Sequence, residues 1–423
     1  MNILVIGNGF DLAHGLPTKY EHFLEFSKRV KRVYESKIDG SVPDYEKNYI
    51  TDLKINDELK EMLSRVYRSR KYVDDASDRS MVMDDSSEMR ELYNLVKDNL
   101  WMEYFFKFDT SSNESWIDFE NEICEIIKSV DNAMLGLTER HKFDDAAEHI
   151  TNKFINGYIK EEARKNRSIT YRNIRDRLQL DLERLIRALE VYLDAFVTQI
   201  ECQEISPDIQ EILFPKKDEK VNKIVHRVLS FNYTNTFNRV YLRGQQVNGF
   251  VEYIHGKADI NNSIETNNMV LGFNEYLSKK RRNKDVEFIA FKKFYQRVHK
   301  QTGCEYKEWI DIIKQDYINN EKEFERIKSF PFKEYIEARK QMNHYLYIFG
   351  HSLDITDKDV LKDLILNDNV YTTIYYHNKE AYGRMIANLV KVIGQNELIR
   401  RTAGRTKTIE FKPQKKMDII EKQ

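Results

Sequence analysis

Met1-Asn-Ile-Leu-Val-Ile-Gly7-Asn8-Gly9-Phe10-Asp11-Leu-Ala-His14-Gly15-Leu-Pro17-Thr-Lys-Tyr20 opens the chain. An apolar, β-branched run breaks at Gly7-Asn8-Gly9 and gives way to a mixed polar and apolar pattern. A buried parallel strand that turns into a helix at a nucleotide phosphate reads this way. Glycine lets backbone N–H groups approach an anion, and the start of a helix adds partial positive charge. A G-x-G-x-x-G fingerprint would place its third glycine where Leu12 stands; here the third glycine is Gly15, ahead of Leu16-Pro17. The alternative reading of the same stretch is a strand, a tight turn and a loop, with glycines serving only their dihedral angles.

Further strand-like runs are few and far apart: Val225–Phe231, Val251–Ile254, Met269–Phe273, His344–Phe349, Tyr371–Tyr376 and Thr408–Phe411, besides Asn2–Ile6 at the start. Several are continuously apolar or aromatic, which suits strands covered on both faces. The long stretch before Val225 is mostly of helical pattern. Trp101–Phe108, Trp116–Val130, Phe143–Ile159 and Thr170–Ile200 read as amphipathic helices, while Ile38–Lys60 and Val73–Glu88, rich in Asp, Ser and Asn, read as loops. A second helical block runs from about Tyr276 to Met342. The simplest organisation is an α/β, Rossmann-like core of mostly parallel sheet formed by residues 1–30, 221–275 and 343–423. It is interrupted by a helical insertion at 31–220 and a second, locally basic one at 276–342.

Bulk properties exclude some functions. Across 423 residues, 68 Lys and Arg stand against 69 Asp and Glu, so no global field favours nucleic acid or an anionic membrane. No run approaches the roughly 20 apolar residues that span a bilayer, and the chain enters its first strand without a basic leader, so the expected location is cytoplasmic. Cys124, Cys202 and Cys304 are isolated and lack C-x-x-C spacing, which fits a reducing compartment and argues against structural zinc. No His, Asp or Glu cluster has metal-ligand spacing, so no metal is indicated.

Three more segments fall where strands should end, the place at which open α/β sheets bind ligands. They are Ser230-Phe-Asn232-Tyr233-Thr234-Asn235, Ile254-His255-Gly256 and Phe349-Gly350-His351-Ser352-Leu353-Asp354, the last followed by Thr356-Asp357 as helix caps. Each residue has a plain structural reading beside a chemical one. Asn232 suits a turn and His255 a sheet edge; His14 and His351 suit caps or polar core positions. Ser352 reads as a backbone anchor or ribose contact, since no G-x-S-x-G elbow surrounds it. In Trp116-x-Asp118-x-Glu120 the acids favour a helix N-terminus.

Taken together and in order, these motifs resemble a family pattern. Gly7-x-Gly9 with Gly15-Leu16-Pro17 resembles the sirtuin opening G-A-G-x-S-x-x-x-G-I-P. Ser230-Phe-Asn232-Tyr233-Thr234 resembles the T-x-N-x-D box, His255-Gly256 the L-H-G box, and Gly350-His-Ser352-Leu353 the G-T-S-L box. More closely, G-N-G-F-D-L-x-x-G-L-P-T-x-Y, Trp116-x-Asp118-x-Glu120, F-N-Y-T-N-T, I-H-G and G-H-S-L-D-x-x-D resemble the AbiH family of bacterial phage abortive-infection proteins, over most of the chain.

The resemblance implies a sirtuin-like pocket that binds NAD and hydrolyses it at the nicotinamide–ribose bond. In sirtuin-like NAD hydrolases the box asparagine orders the attacking water and the histidine is the base, roles that fall here on Asn232 and His255. The pocket would be lined by Gly7, Asn8, Gly9, Phe10, Asp11, Pro17, Tyr233, Gly256, Gly350, His351, Ser352 and Leu353. The chain departs from the sirtuin pattern in four respects. Asp11 replaces the opening serine, Lys19-Tyr20 stands near where Phe-Arg is expected, Thr234 ends the box, and the four-cysteine zinc module is missing. The last departure removes peptide deacylation from the expectations.

Two alternatives remain open. One is a nucleotide sensor without turnover, controlling a helical surface, a homo-oligomer or the response to a phage-derived trigger. The other is a nucleic-acid effector acting through Lys279–Lys300, which holds nine basic residues against two acidic ones, with Phe291, Phe294 and Tyr295 interleaved. The plain reading of that segment is a solvated helix with its aromatics turned to the core.

Overall fold

The computed structural model describes residues 1–35, 56–75, 86–106, 119–134, 167–214, 224–243, 249–274, 288–326, 344–404 and 407–420. Its strands are β1 (Ile3–Ile6), β2 (Glu204–Ile205), β3 (Arg227–Ser230), β4 (Val251–Tyr253), β5 (His344–Phe349), β6 (Val370–Tyr376), β7 (Ile409–Pro413) and β8 (Asp418–Ile419). Six of them form one parallel sheet in the order β4-β3-β1-β5-β6-β7, and β2 pairs antiparallel with β8. Counting only the six, this is the 3-2-1-4-5-6 order of doubly wound dinucleotide folds. The α/β expectation with a mostly parallel sheet and large helical additions therefore holds.

Burial on both faces explains why these strands read as continuous apolar runs. On one face Ile3, Val5, Leu229, Leu346 and Ile348 join Val360, Leu361 and Leu364 of the helix Lys358–Ile365 and Trp309, Ile310 and Ile313 of the helix Tyr306–Arg326. On the other, Leu4, Ile6, Val228, Tyr347 and Phe349 join Phe10 of the helix Asn8–Ala13, Ile209 of Pro207–Leu213, and Phe237 and Tyr241 of Thr236–Tyr241. Alternate residues of β1 thus serve opposite layers, as the strand period of two requires.

Contacts divide the chain into two compact units: Met1–Leu16, Glu201–Lys257 and Gln301–Gln423 form the first, and Pro17–Ile200 with Ala258–Lys300 the second. The sheet lies wholly in the first. These limits differ from the pattern-based ones at 30, 220, 275 and 342. Tyr306–Arg326 belongs with the sheet because Tyr306, Trp309, Ile310 and Ile313 pack into its core. Residues 258–274 belong instead with the helices.

The second unit is helical, with helices at Tyr20–Glu35, Asp57–Asp75, Ser87–Val96, Leu100–Phe105, Phe119–Met134, Arg167–Val191 and Lys293–His299. The expected helix Thr170–Ile200 ends differently, passing through a π-helical turn at Tyr192–Phe196 and a 3-10 turn at Val197–Gln199. Tyr192 and Phe196 there pack on Phe26, with ring centroids 5.5 Å and 5.1 Å away. The expected helix Trp101–Phe108 starts one residue earlier, because the Asn99 side chain accepts from the Trp101 and Met102 N–H groups. Phe143–Ile159 and most of Ile38–Lys60 and Val73–Glu88 lie outside the described residues.

One expected strand is overturned. Met269–Phe273 joins no sheet, forming only an isolated bridge between Phe273 and Lys292. A side chain takes the place of a neighbouring strand there: the Gln296 carboxamide accepts from Leu271 N–H at 3.0 Å and donates to Leu271 O at 2.9 Å. An apolar, buried segment with its backbone bonded in this way has the sequence signature of a strand without being one. Among the described residues no helix is long and apolar enough to cross a membrane.

The turns after β1 and β5 interlock. Gly9 N–H donates to Gly350 O at 2.7 Å, and Gly7 N–H donates to Phe349 O at 3.2 Å. Gly350 sits at φ +68°, and a Cβ there would lie 2.1 Å from the Phe10 nitrogen. Gly350→Ala is therefore expected to lower stability by more than about 1 kcal/mol through strain and backbone collision together. Urea denaturation of the variant against wild type measures it.

Candidate functional site

Four sequence motifs meet along one edge of the sheet, at the C-terminal ends of the adjacent strands β4, β3, β1 and β5. The connection after β1 sends Phe10 to one face and the connection after β5 sends Leu353 and Val360 to the other. Neighbouring strands whose connections diverge in this way define the switch point at which open α/β sheets bind ligands.

On one side of this edge lies a buried carboxyl. Asp11 is only 1% exposed, and its Oδ2 accepts from Thr234 Oγ1 at 2.6 Å; the Thr236 hydroxyl in turn donates to Thr234 Oγ1 at 3.0 Å. Asp11 is not a helix cap: Gly7 occupies that position, without a side-chain cap bond. Burial raises the Asp11 pKa from 3.8 to about 6, offset in part by Thr234, Thr236, Asn232 and Arg239. Asn232 influences the carboxyl by proximity, but neither Asn232 Nδ2 nor Oδ1 has a hydrogen-bond partner of proper geometry, and both atoms are buried. Asp11 Oδ1 is likewise buried without a partner.

The other side carries two imidazoles and a carboxylate. His255 Nε2 lies 3.1 Å from Asp357 Oδ1, and His351 Nε2 lies 3.4 Å from Asp357 Oδ2. The Leu353 N–H donates to His351 Nδ1 at 2.9 Å. Phe231 meets both rings edge-on, with centroids 5.5 Å from His255 and 4.3 Å from His351, and the Tyr233 ring centroid is 6.3 Å from that of His255. Phe231, Asn232, Tyr233 and Thr234 thus carry the chain from the histidine pair to the Asp11 carboxyl in four consecutive residues.

Other residues singled out in the sequence serve the framework. Gly7, Gly9 and Gly350 pack turn on turn, so their lack of a Cβ is used by the chain's own backbone. Phe10 is fully buried among Phe237, Tyr241 and Phe349, and Leu353 is fully buried in the opposite layer. Asn8 is half-buried, Gly256 turns at φ +78°, and Ser352 is exposed, its carbonyl accepting from Asn388 Nδ2 at 3.0 Å. Pro17 belongs to the other unit, where its carbonyl accepts from the Tyr192 hydroxyl at 2.7 Å.

His14 is structural. Nδ1 donates to Phe10 O at 2.7 Å, Nε2 faces the Tyr241 hydroxyl at 3.0 Å, and burial lowers its pKa to about 4. Thr356-Asp357 does not cap as the pattern suggests. Asp354 caps the 3-10 turn Ile355–Asp357 by accepting from Thr356 N–H at 3.0 Å, whereas Asp357, at the cap position of the helix Lys358–Ile365, makes no side-chain cap bond.

Two charged features account for each other within the helical unit. Glu120 opens the helix Phe119–Met134 and pairs with Lys293 at 2.7 Å, and Lys293 is 1% exposed. Lys300 pairs with Glu183 at 2.9 Å, and Lys292 is buried. Lys279–Lys284, Trp116 and Asp118 lie outside the described residues. Among the described residues no group of three His, Cys, Asp or Glu is placed to hold a metal.

The sequence pattern of the family described as bacteriophage abortive infection AbiH matches residues 3–377, which include all four strand-end motifs. The chain belongs to the AbiH family. No curated protein and no solved structure matches it. In this AbiH protein, the partners that sequence reading missed are Thr234 for Asp11 and Asp357 for the two histidines. The G-H-S-L-D-x-x-D spacing held the second signal, since its last aspartate, Asp357, opens the helix that directly follows the His351 turn.

The Asp11 carboxyl makes stability depend on pH. Its folded pKa of about 6 exceeds the unfolded value near 3.8, so the folded state binds the extra proton between these limits. Stability is full below the unfolded pKa and declines as pH rises through the folded one. Over that window the wild type is expected to lose on the order of 2–3 kcal/mol relative to Asp11→Asn, which keeps an oxygen for Thr234. Urea midpoints of both proteins at pH 4 and pH 7 check the sign; a constant difference would show that Asp11 does not titrate there.

Proposed function

We propose that this AbiH protein binds NAD⁺ at the strand ends of β4, β3, β1 and β5 and hydrolyses its nicotinamide–ribose bond, giving nicotinamide and ADP-ribose. The observation that carries the reading is Asn232, whose amide nitrogen and oxygen are both buried without a partner between the histidine pair and the Asp11 carboxyl. A buried polar group left unpaired is destabilising by about 1–3 kcal/mol. It persists where function requires it, and a ligand's hydroxyls or an attacking water would supply the missing partners. Asp11 Oδ1 offers a second such position for a ribose hydroxyl.

The chemistry fits these groups. When the C1′–N bond breaks, its electron pair leaves with neutral nicotinamide and positive charge develops on the ribose. A water oxygen then bonds to C1′ and its proton passes to an imidazole, the role assigned to His255. A leaving group this good needs orientation and one weak base rather than a strong nucleophile, and an imidazole titrates in the right range. Asn232 orients the water or the ribose. Depletion of NAD⁺ would stop an infected cell from supporting phage growth, in keeping with the family.

Nicotinamide release from NAD⁺, followed by chromatography with mass detection, tests the proposal. Wild type, Asn232→Ala and His255→Ala are compared with and without lysate from phage-infected cells. Release by wild type is expected, falling about 100-fold or more in either variant. Undiminished release in a variant carrying both Asn232→Ala and His255→Ala sinks the site assignment. Stoichiometric NAD⁺ binding without release under either condition makes the protein a nucleotide sensor.

A further inference from the structure

Asp357 stands where a helix cap is expected and does not cap. It opens the helix Lys358–Ile365, yet its carboxylate makes no bond to that helix's N–H groups. Its two oxygens instead face His255 Nε2 at 3.1 Å and His351 Nε2 at 3.4 Å. An aspartate at this position ordinarily accepts from the first N–H groups of its helix and stabilises it. The helix dipole still favours its negative charge there.

The hydrogen bonds fix which ring nitrogens hold protons. Leu353 N–H donates to His351 Nδ1 at 2.9 Å, so Nδ1 carries the lone pair and the proton of the neutral ring sits on Nε2, towards Asp357 Oδ2. That N–H is aimed by an unusual backbone: Leu353 is fully buried at φ +59°, a left-handed conformation that a leucine rarely adopts. Strain of this kind persists where the surroundings over-determine it, and it clusters at functional sites. It also rules out His351 Nε2 as a metal ligand, since that nitrogen has no lone pair to give.

Asp357, held on one side by His351, presents its other oxygen to His255. An ionised carboxylate only accepts, so His255 Nε2 carries the proton and Nδ1 becomes the lone-pair nitrogen. We infer that Asp357 is a positioning residue that fixes the tautomer of His255 so that Nδ1 is the base, with His351 as the strut that orients Asp357. The inference rests on the proposed role of His255 as base and adds the device that sets which of its atoms acts. Nδ1 takes the proton of the attacking water, and the Nε2–H bond to Asp357 steadies the imidazolium that results.

The arrangement predicts how an amide in place of the carboxylate must lie. In Asp357→Asn the His351 Nε2–H still needs an acceptor, so the carbonyl oxygen turns to His351 and the NH₂ group turns to His255. His255 Nε2 must then accept, and its proton moves to Nδ1, which ceases to be a base. ¹⁵N-histidine long-range proton–nitrogen correlation spectra, with the signal assigned by His255→Gln, distinguish a protonated from a lone-pair ring nitrogen without substrate.

The expected result is His255 protonated on Nε2 in wild type and on Nδ1 in Asp357→Asn, with His351 unchanged in both. Nicotinamide release should fall about 10²–10⁴-fold in kcat with little change in KM, and thermal unfolding should confirm that the variant is folded. Asp357→Glu, which still only accepts, should keep the wild-type tautomer. A wild-type His255 protonated on Nδ1 overturns the inference even if Asp357→Asn does not fold. An unchanged tautomer in folded Asp357→Asn, or a loss confined to KM, overturns it as well. If wild type releases no nicotinamide, hydrolysis falls on that ground alone, while the tautomer switch still decides the role of Asp357.

Discussion

The backbone contact between Gly9 and Gly350 governs the geometry of the sheet's working edge. It joins the turns after β1 and β5, the two central strands whose connections leave towards opposite layers. A side chain at Gly350 would occupy the position of the Phe10 nitrogen, so the turns can close only without one. Closed, they carry His351 and Leu353 on one side and Phe10 and Asp11 on the other. The glycines that look like a phosphate cradle in the sequence thus first serve the chain's own packing, and ligand chemistry falls to side chains around them.

Those side chains divide the labour by charge and burial. Asp11 lies deep, with one oxygen held by a hydroxyl chain from Thr236 through Thr234, and its desolvation brings its titration towards neutrality. Asp357 lies nearer to solvent at the start of a helix and bridges two histidines. The two carboxyls thus differ in burial and in partners, one bonded to a hydroxyl chain and the other set between two imidazoles. Asn232 lies in the chain between them with its amide unsatisfied, the one group of the edge whose bonding the protein leaves incomplete on both atoms. In the helical unit the buried Arg187 is by contrast well supplied, donating to Glu91, Glu190 and the carbonyls of Asp259 and Ile260.

The parallel strands were legible because a strand buried on both faces must be apolar at every position, and few other segments of this chain are. Met269–Phe273 misled for the same reason: burial was read correctly, but the partner is the carboxamide of Gln296, 23 residues or more further along, which no local pattern announces. Unit limits were harder to read. An amphipathic helix such as Tyr306–Arg326 shows that it has a partner but not which one, and it packs on the sheet.

The sequence by itself determined the α/β class, the strand-end motifs and the family, since periodicity, glycine spacing and short boxes are local properties of the chain. Only the tertiary structure decided which residues act on one another. Thr234 meets Asp11 across 223 positions, and His255 meets Asp357 across 102. A carboxylate's partner, its pKa and a histidine's tautomer are set by what lies within a few ångströms in space. The sheet order, fixed by long-range hydrogen bonding and the burial of two layers, brings those neighbours together.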